Sequence, residues 1–139
     1  LRRIVSGYFE ENKGRRLTVT FMSFGFKNGI PREADIVMDV RFLKNPHWDV
    51  RLRPLTGKDR DVQHYIEDDS SLSDFLRHFK DLLGPLFDRY THEGKSYLTV
   101  AFGCTGGKHR SVYVAEKMTV WASEKNIPVA IEHRDIDRS

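Results

Sequence analysis

The stretch Val100–Met118, "VAFGCTGGKHRSVYVAEKM", decides the fold. The residues Tyr97–Gly103 leading into it are rich in strand formers and read as a buried strand. After it, Val112, Ala115, Met118 and Ala122 recur at helical spacing, which predicts a helix over Ser111–Lys125. Between the two stand the chain's only cysteine, two glycines, three basic side chains and two hydroxyls, Cys104–Ser111. A turn of this kind lies at the carboxyl end of a strand, where open α/β sheets bind ligands. Gly106 and Gly107 let backbone N–H groups approach a bound group. The first N–H groups of the following helix lack internal partners and carry partial positive charge. Lys108, His109 and Arg110 add charge, and a guanidinium can hold two phosphate oxygens at once. Ser111 serves either as helix cap or as anion donor. The turn therefore predicts an anion site, phosphate above all. It is not a Walker A loop, because Gly-Gly-Lys is followed by His109 rather than Ser or Thr.

Strands and helices alternate outward from this turn. Leu1, Ile4, Val5, Tyr8 and Phe9 recur at helical spacing, with Asn12–Gly14 as the stop. Leu17–Phe26, "LTVTFMSFGF", and Ile36–Phe42, "IVMDVRF", read as strands. Pro46, Pro54 and Gly57 break the periodicity of Leu43–Asp61, a long loop of the kind that carries function. Ser71 with Asp74 resembles a capping box. It opens a helix whose apolar face includes Leu72, Phe75, Leu76, Phe79, Leu82, Leu83, Leu86, Phe87 and Tyr90, with Gly84-Pro85 as a kink or break. "IPVAIEHR", Ile127–Arg134, closes the series as a fourth strand. This alternation predicts a single α/β domain over residues 1–139, a mainly parallel sheet flanked by helices.

The same segments nominate a pocket around the turn. Lys27 follows the first strand. Asp39 and Arg41 alternate with Met38, Val40 and Phe42 and so share one face of the second strand, as ligand contacts or as a plain ion pair. His47, between Asn45 and Trp48, suits a sugar, whose apolar faces stack and whose polar edges are oriented. The predicted ligand set is Lys27, Asp39, Arg41, His47 and Cys104 through Ser111. Arg41–Arg60 holds six Lys or Arg against two Asp. Arg51, Arg53, Lys58 and Arg60 are its candidate contacts to an RNA backbone, although a solvated loop explains such charge as well. A second chemistry is also written here. Cys104, Gly107, Arg110 and Ser111 match the Cys-x-x-Gly-x-x-Arg-Ser of cysteine phosphatases, in which a thiolate attacks phosphorus, and Asp49 of "HWD" would be the general acid. Gly103 stands where those enzymes usually carry histidine.

Composition excludes several classes. Of 139 residues, 39% are hydrophobic and 31% charged, enough apolar surface for a core. A net charge of +3 is too small to demand nucleic acid. One cysteine rules out an internal disulfide and suits a reducing cytoplasm. No apolar run is long enough to span a membrane, and no His/Cys spacing suggests a metal. Leu1 stands where an initiator Met is expected, so a domain of a longer protein is the expectation.

Taken together, "FGFKNGIP" (24–31), "DVRFLKNPHWD" (39–49), "LRPLTG" (52–57) and "GCTGGKHRSV" (103–112) resemble the C-terminal domain of the RapZ/YvcJ family of RNase adapter proteins. The likeness runs from about Leu17 to His133. It implies a fold like the sugar-phosphate-binding part of phosphofructokinase and no catalysis in this domain. The implied ligand is an amino-sugar phosphate similar to glucosamine-6-phosphate, held by Thr105–Arg110, with Arg110 on the phosphate and Asp39 on the amine or hydroxyls. His47 and Arg41 would complete that pocket. It also implies a small regulatory RNA and an endoribonuclease as partners, control of amino-sugar metabolism, and homo-oligomers. No cofactor is expected in this domain; ATP or GTP would belong to an N-terminal P-loop domain. RNA-binding members share a basic C-terminal tail, whereas this chain ends with Glu132, Asp135 and Asp137 against Arg134 and Arg138.

Overall fold

A computed structural model describes residues 9–10 and 15–138 of the protein. Two short strands, β1 (Phe9–Glu10) and β2 (Arg15–Arg16), pair antiparallel. The expected first helix thus gives way to strand at Phe9, and Leu1–Tyr8 and Asn12–Gly14 lie outside the described residues. The body is an all-parallel sheet of β3 (Thr18–Gly25), β4 (Ile36–Asp39), β5 (Tyr97–Cys104) and β6 (Val129–His133), ordered β4-β5-β3-β6. Three helices accompany it: α1 (Arg60–Glu67), α2 (Ser71–His92) and α3 (Arg110–Ser123). The α/β architecture is the one the strand–helix alternation predicts.

Alternation along β3 and β5 sorts the core. Val19 and Phe21 face one side with Leu98, Val100 and Phe102, and there they meet Phe79, Leu83 and Phe87 of α2 and Val114, Ala115 and Met118 of α3. A smaller cluster, Met22, Phe24 and Ala101, faces the other side beneath Phe26 and Ala34. Each of the fully buried phenylalanines contributes about 1.5–3 kcal/mol relative to exposure, so these layers fix the sheet. Because β3 and β5 run in register from Thr18↔Tyr97 to Gly25↔Cys104, both strands stop at the same level. The chain then leaves β3 across the second face and leaves β5 into α3 on the first. That divergence opens a crevice at the carboxyl edge of the sheet.

Several local expectations give way to tertiary contacts. The second strand ends at Asp39 rather than Phe42, because the Asp39 carboxylate accepts the Arg41 N–H at 2.9 Å and turns the chain. Asp39 and Arg41 are therefore not strand neighbours on one face; they meet as an ion pair at 2.7 Å. The long loop holds a 3₁₀ turn, Pro46–Trp48, and runs directly into α1, which its mixed composition hid. The capping box does not form: Asp69 accepts from the Ser71 N–H and hydroxyl, while Asp74 pairs with Arg77. Helix α2 continues through Gly84-Pro85 without a break, and burial of Leu83 and Phe87 offsets the N–H that proline lacks. Leu82 turns out to be exposed.

Candidate functional site

The turn after β5 is held at several points. Lys27 N–H donates to the Thr105 carbonyl at 3.3 Å, and Gly57 N–H donates to that of Lys108 at 2.9 Å. Gly107, at φ +79°, is pressed against the end of β3: a Cβ there would lie 2.6 Å from Gly25 N and 2.8 Å from Phe24 C. Only glycine meets both demands. Gly25 answers it, since its own Cβ would lie 2.5 Å from the carbonyl carbon of Gly106. Asp135 locks this contact. It is fully buried, accepts the Gly25 N–H at 2.7 Å and is paired with Arg134 at 2.8 Å. Burial pushes its carboxyl up, but Arg134, the Gly25 N–H and Arg138 together hold it below the usual carboxylate range. Gly106 differs from its neighbour, because no atom lies within 4 Å of where its Cβ would be. Gly107 thus belongs to the scaffold, and Gly106 faces open space.

That space is a cavity of about 500 Å³ lined by Lys27, Asn45, His47, Trp48, Arg53, Cys104, Thr105, Gly106, Lys108, His109 and Arg110. Its volume falls within the range of small-ligand sites. Arg110 forms part of its wall and is only 5% exposed. Its Nη1 donates to the carbonyls of Arg41 (2.6 Å) and Leu43 (3.1 Å), and its Nη2 reaches Thr105 Oγ1 at 3.4 Å. The guanidinium therefore clamps the β4 turn to α3. Burial pulls its pKa down, opposed by Cys104 and Asp39. His109 is also buried, and burial holds its ring below the ordinary histidine value. Among the described residues, Arg110 Nε and His109 Nε2 are buried side-chain atoms without a hydrogen-bond partner.

The remaining predicted residues divide clearly. Cys104 Sγ lies 3.1 Å from Ser111 Oγ and accepts the Ser111 N–H at 3.4 Å. Ser111 is fully buried and does not stand at the helix cap, a position taken by His109. Asp39 and Arg41 border the site without lining the cavity; Arg41 holds the Asp39 carboxyl below its usual range. Of the candidate RNA contacts, Arg53 lines the cavity and donates through Nε to the His47 carbonyl at 2.9 Å. Arg51 pairs with Asp49 at 3.0 Å, and Lys58 and Arg60 are exposed beyond the cavity. Asp49 faces a separate hollow with Asp61 and His64, and Arg51 pulls its carboxyl below the usual range. A general acid needs the opposite shift and a place at the cavity.

Asp135 and Gly25 were not legible as site residues. Gly25 reads as the end of a strand, and Asp135 reads as one charge in a mixed tail; their meeting spans 110 positions. Trp48, 74% exposed at the rim and edge-on to His47, carries the clearer signal, a large aromatic beside a polar loop.

Sheet order and cavity define an open, all-parallel α/β domain with a basic hollow at its carboxyl edge. The chain belongs to the RapZ C-terminal domain family, whose model matches residues 17–137. It is 50% identical over 138 residues to a nucleotide-binding protein of Rhodospirillum centenum, covering 99% of this chain and 42% of that protein. It is 50% identical over 135 residues to one of Acidobacterium capsulatum (97% and 44%), and 47% identical over 138 residues to one of Xanthomonas axonopodis (99% and 49%). The chain thus spans less than half the length of these curated relatives. No described helix is long and apolar enough to cross a membrane.

Proposed function

We propose that this domain is a non-catalytic ligand sensor: it binds an amino-sugar phosphate similar to glucosamine-6-phosphate and couples occupancy to RNA or protein binding. One observation carries the reading. The cavity is walled by a glycine turn and by four basic side chains, Lys27, Lys108, Arg53 and Arg110. Converging positive charge and exposed turn amides are what an anion requires. The phosphate lies against the Thr105–Lys108 amides and Arg110. Trp48 supplies a flat apolar face for the sugar ring. Asp39, close enough to Arg110 to feel its charge, supplies the negative field that an ammonium requires. Family membership supports a regulatory role. The nucleotide in the relatives' names belongs, on this reading, to the part of the longer protein outside this chain. Arg51, Lys58 and Arg60 are the surface offered to an RNA backbone. The phosphatase reading is served less well, because Asp49 lines a different hollow from Cys104 and Arg51 holds its carboxyl below the usual range.

Calorimetric titration with glucosamine-6-phosphate, glucose-6-phosphate and inorganic phosphate tests the proposal. It requires binding of all three, with the amino sugar tightest. Equal weak binding would reduce the site to a generic anion hollow, and no binding would refute it.

A further inference from the structure

Two arginines line the cavity, and their guanidinium groups are engaged differently. Arg110 commits both terminal nitrogens to the protein: Nη1 donates to the carbonyls of Arg41 and Leu43, and Nη2 reaches Thr105 Oγ1. It lends the turn its charge but little of its fork. Arg53 is the reverse. Its Nε donates to the His47 carbonyl at 2.9 Å, which orients the guanidinium. Among the described residues, its Nη1 and Nη2 make no hydrogen bond and it holds no carboxylate. Arg41, Arg51, Arg77, Arg134 and Arg138 each hold one. Lys27 and Lys108 also line the cavity without an ion pair, and no Asp or Glu is among its described lining residues. In a chain with 20 Asp and Glu against 23 Lys and Arg, that segregation is local. A wall of one sign gathers the opposite charge and selects the ligand it takes.

A single phosphate ester brings about two negative charges near neutral pH. It is met by the Thr105–Lys108 amides together with Lys108 and Arg110. The two terminal nitrogens of Arg53 are then still unanswered. An oriented guanidinium with both terminal nitrogens free is built to receive two oxygens of one phosphate or carboxylate. Because Arg53 is bonded to the residue that precedes Trp48, its anion lies at the Trp48 rim rather than at the turn. We propose that Arg53 is the fork of a second anion subsite, with Lys27 adding charge, and that the cavity takes a small molecule bearing two anionic groups: a sugar phosphate with a second phosphate or a carboxylate. This rests on the anion-site reading above and adds a second acidic group to the ligand described there.

Calorimetry with glucose-6-phosphate and glucose-1,6-bisphosphate tests it in the parent, in Arg53→Gln and in Arg77→Gln. Arg53 is exposed, and glucose-6-phosphate binding reports that each variant is folded. Arg77→Gln removes the same charge from α2, outside the cavity. The parent is expected to bind the bisphosphate at least about tenfold more tightly, the gain from one further charge-assisted fork. Arg53→Gln should lose that advantage and hold glucose-6-phosphate within about threefold of the parent, because charge at the rim is screened. Arg77→Gln should keep both affinities. Equal affinity for the two sugars in the parent overturns the second subsite and leaves the anion turn standing. So does an Arg53→Gln that keeps the preference or weakens both sugars alike, and so does an advantage lost equally in Arg77→Gln, which would make it bulk charge. A parent that binds neither sugar overturns both readings.

Discussion

Adjacent glycines in the turn do different work, and substituting them one at a time separates scaffold from site. In Gly107→Ala the new residue must hold φ +79°, which costs an L-residue roughly 1–2 kcal/mol. Its Cβ would also sit 2.6 Å from Gly25 N and 2.8 Å from Phe24 C, both backbone atoms of a central strand. Overpacking against atoms that cannot rotate away costs about 1–3 kcal/mol more. The combined penalty of about 2–5 kcal/mol is a large share of a stability of about 5–15 kcal/mol. For a chain of 139 residues, an unfolding entropy of roughly 2.1 cal/mol/K per residue makes each kcal/mol worth about 3 °C in Tm. Gly107→Ala is therefore expected to melt about 7–17 °C below the parent in scanning calorimetry. Gly106→Ala meets no atom within 4 Å and is expected to melt within about 2 °C of the parent, yet to bind glucosamine-6-phosphate at least tenfold more weakly, because its methyl enters the ligand's space. Melting losses of similar size in the two variants, or a thermally neutral Gly107→Ala, would refute the division.

Further outcomes follow from the same geometry. Arg110→Ala orphans the carbonyls of Arg41 and Leu43 and removes the anion's main charge, so denaturant unfolding should show a loss of about 2–3 kcal/mol and calorimetry no residual phosphate binding. Trp48→Ala should weaken glucosamine-6-phosphate about tenfold, or ~1.4 kcal/mol, and leave inorganic phosphate unchanged, as read by calorimetry. His109 is held below its ordinary value of 6.5 by burial, so the unfolded chain binds the extra proton first and stability is lost as pH falls from about 6.5 through the lowered value. A urea series over that window should show this loss in the parent and a flatter profile in His109→Gln. Asp135, held low by Arg134 and the Gly25 N–H, contributes stability that is present above its ordinary 3.8 and lost below it, and Asp135→Asn should lack that acid limb.

Much of this molecule was written in short-range pattern. The strands around the crevice and helix α3 followed from apolar runs and spacing, and the glycine turn followed from its position between them. Helix α1 was hidden because only Val62 and Ile66 of its eight residues are buried, too few for a periodic signal. The end of β4 was misjudged because Asp39 turns the chain by capping the Arg41 N–H, a contact no hydrophobic count registers. Within the site, Lys27, His47 and most of the turn came together as the motifs suggested. What escaped notice was long-range: Asp135 on Gly25, and the Arg110 clamp on two carbonyls far away in sequence. These contacts turn a residue that reads as a free phosphate grip into one that first holds the fold.

The most direct measurement is an amide NMR titration of the domain with glucosamine-6-phosphate. Shifts concentrated at Thr105–His109, Lys27 and the Trp48 indole are predicted, with Trp121 unmoved. Shifts centred on the hollow between α2 and α3 that Trp121 lines, or none at saturating ligand, would contradict the assignment of the glycine turn as the ligand site.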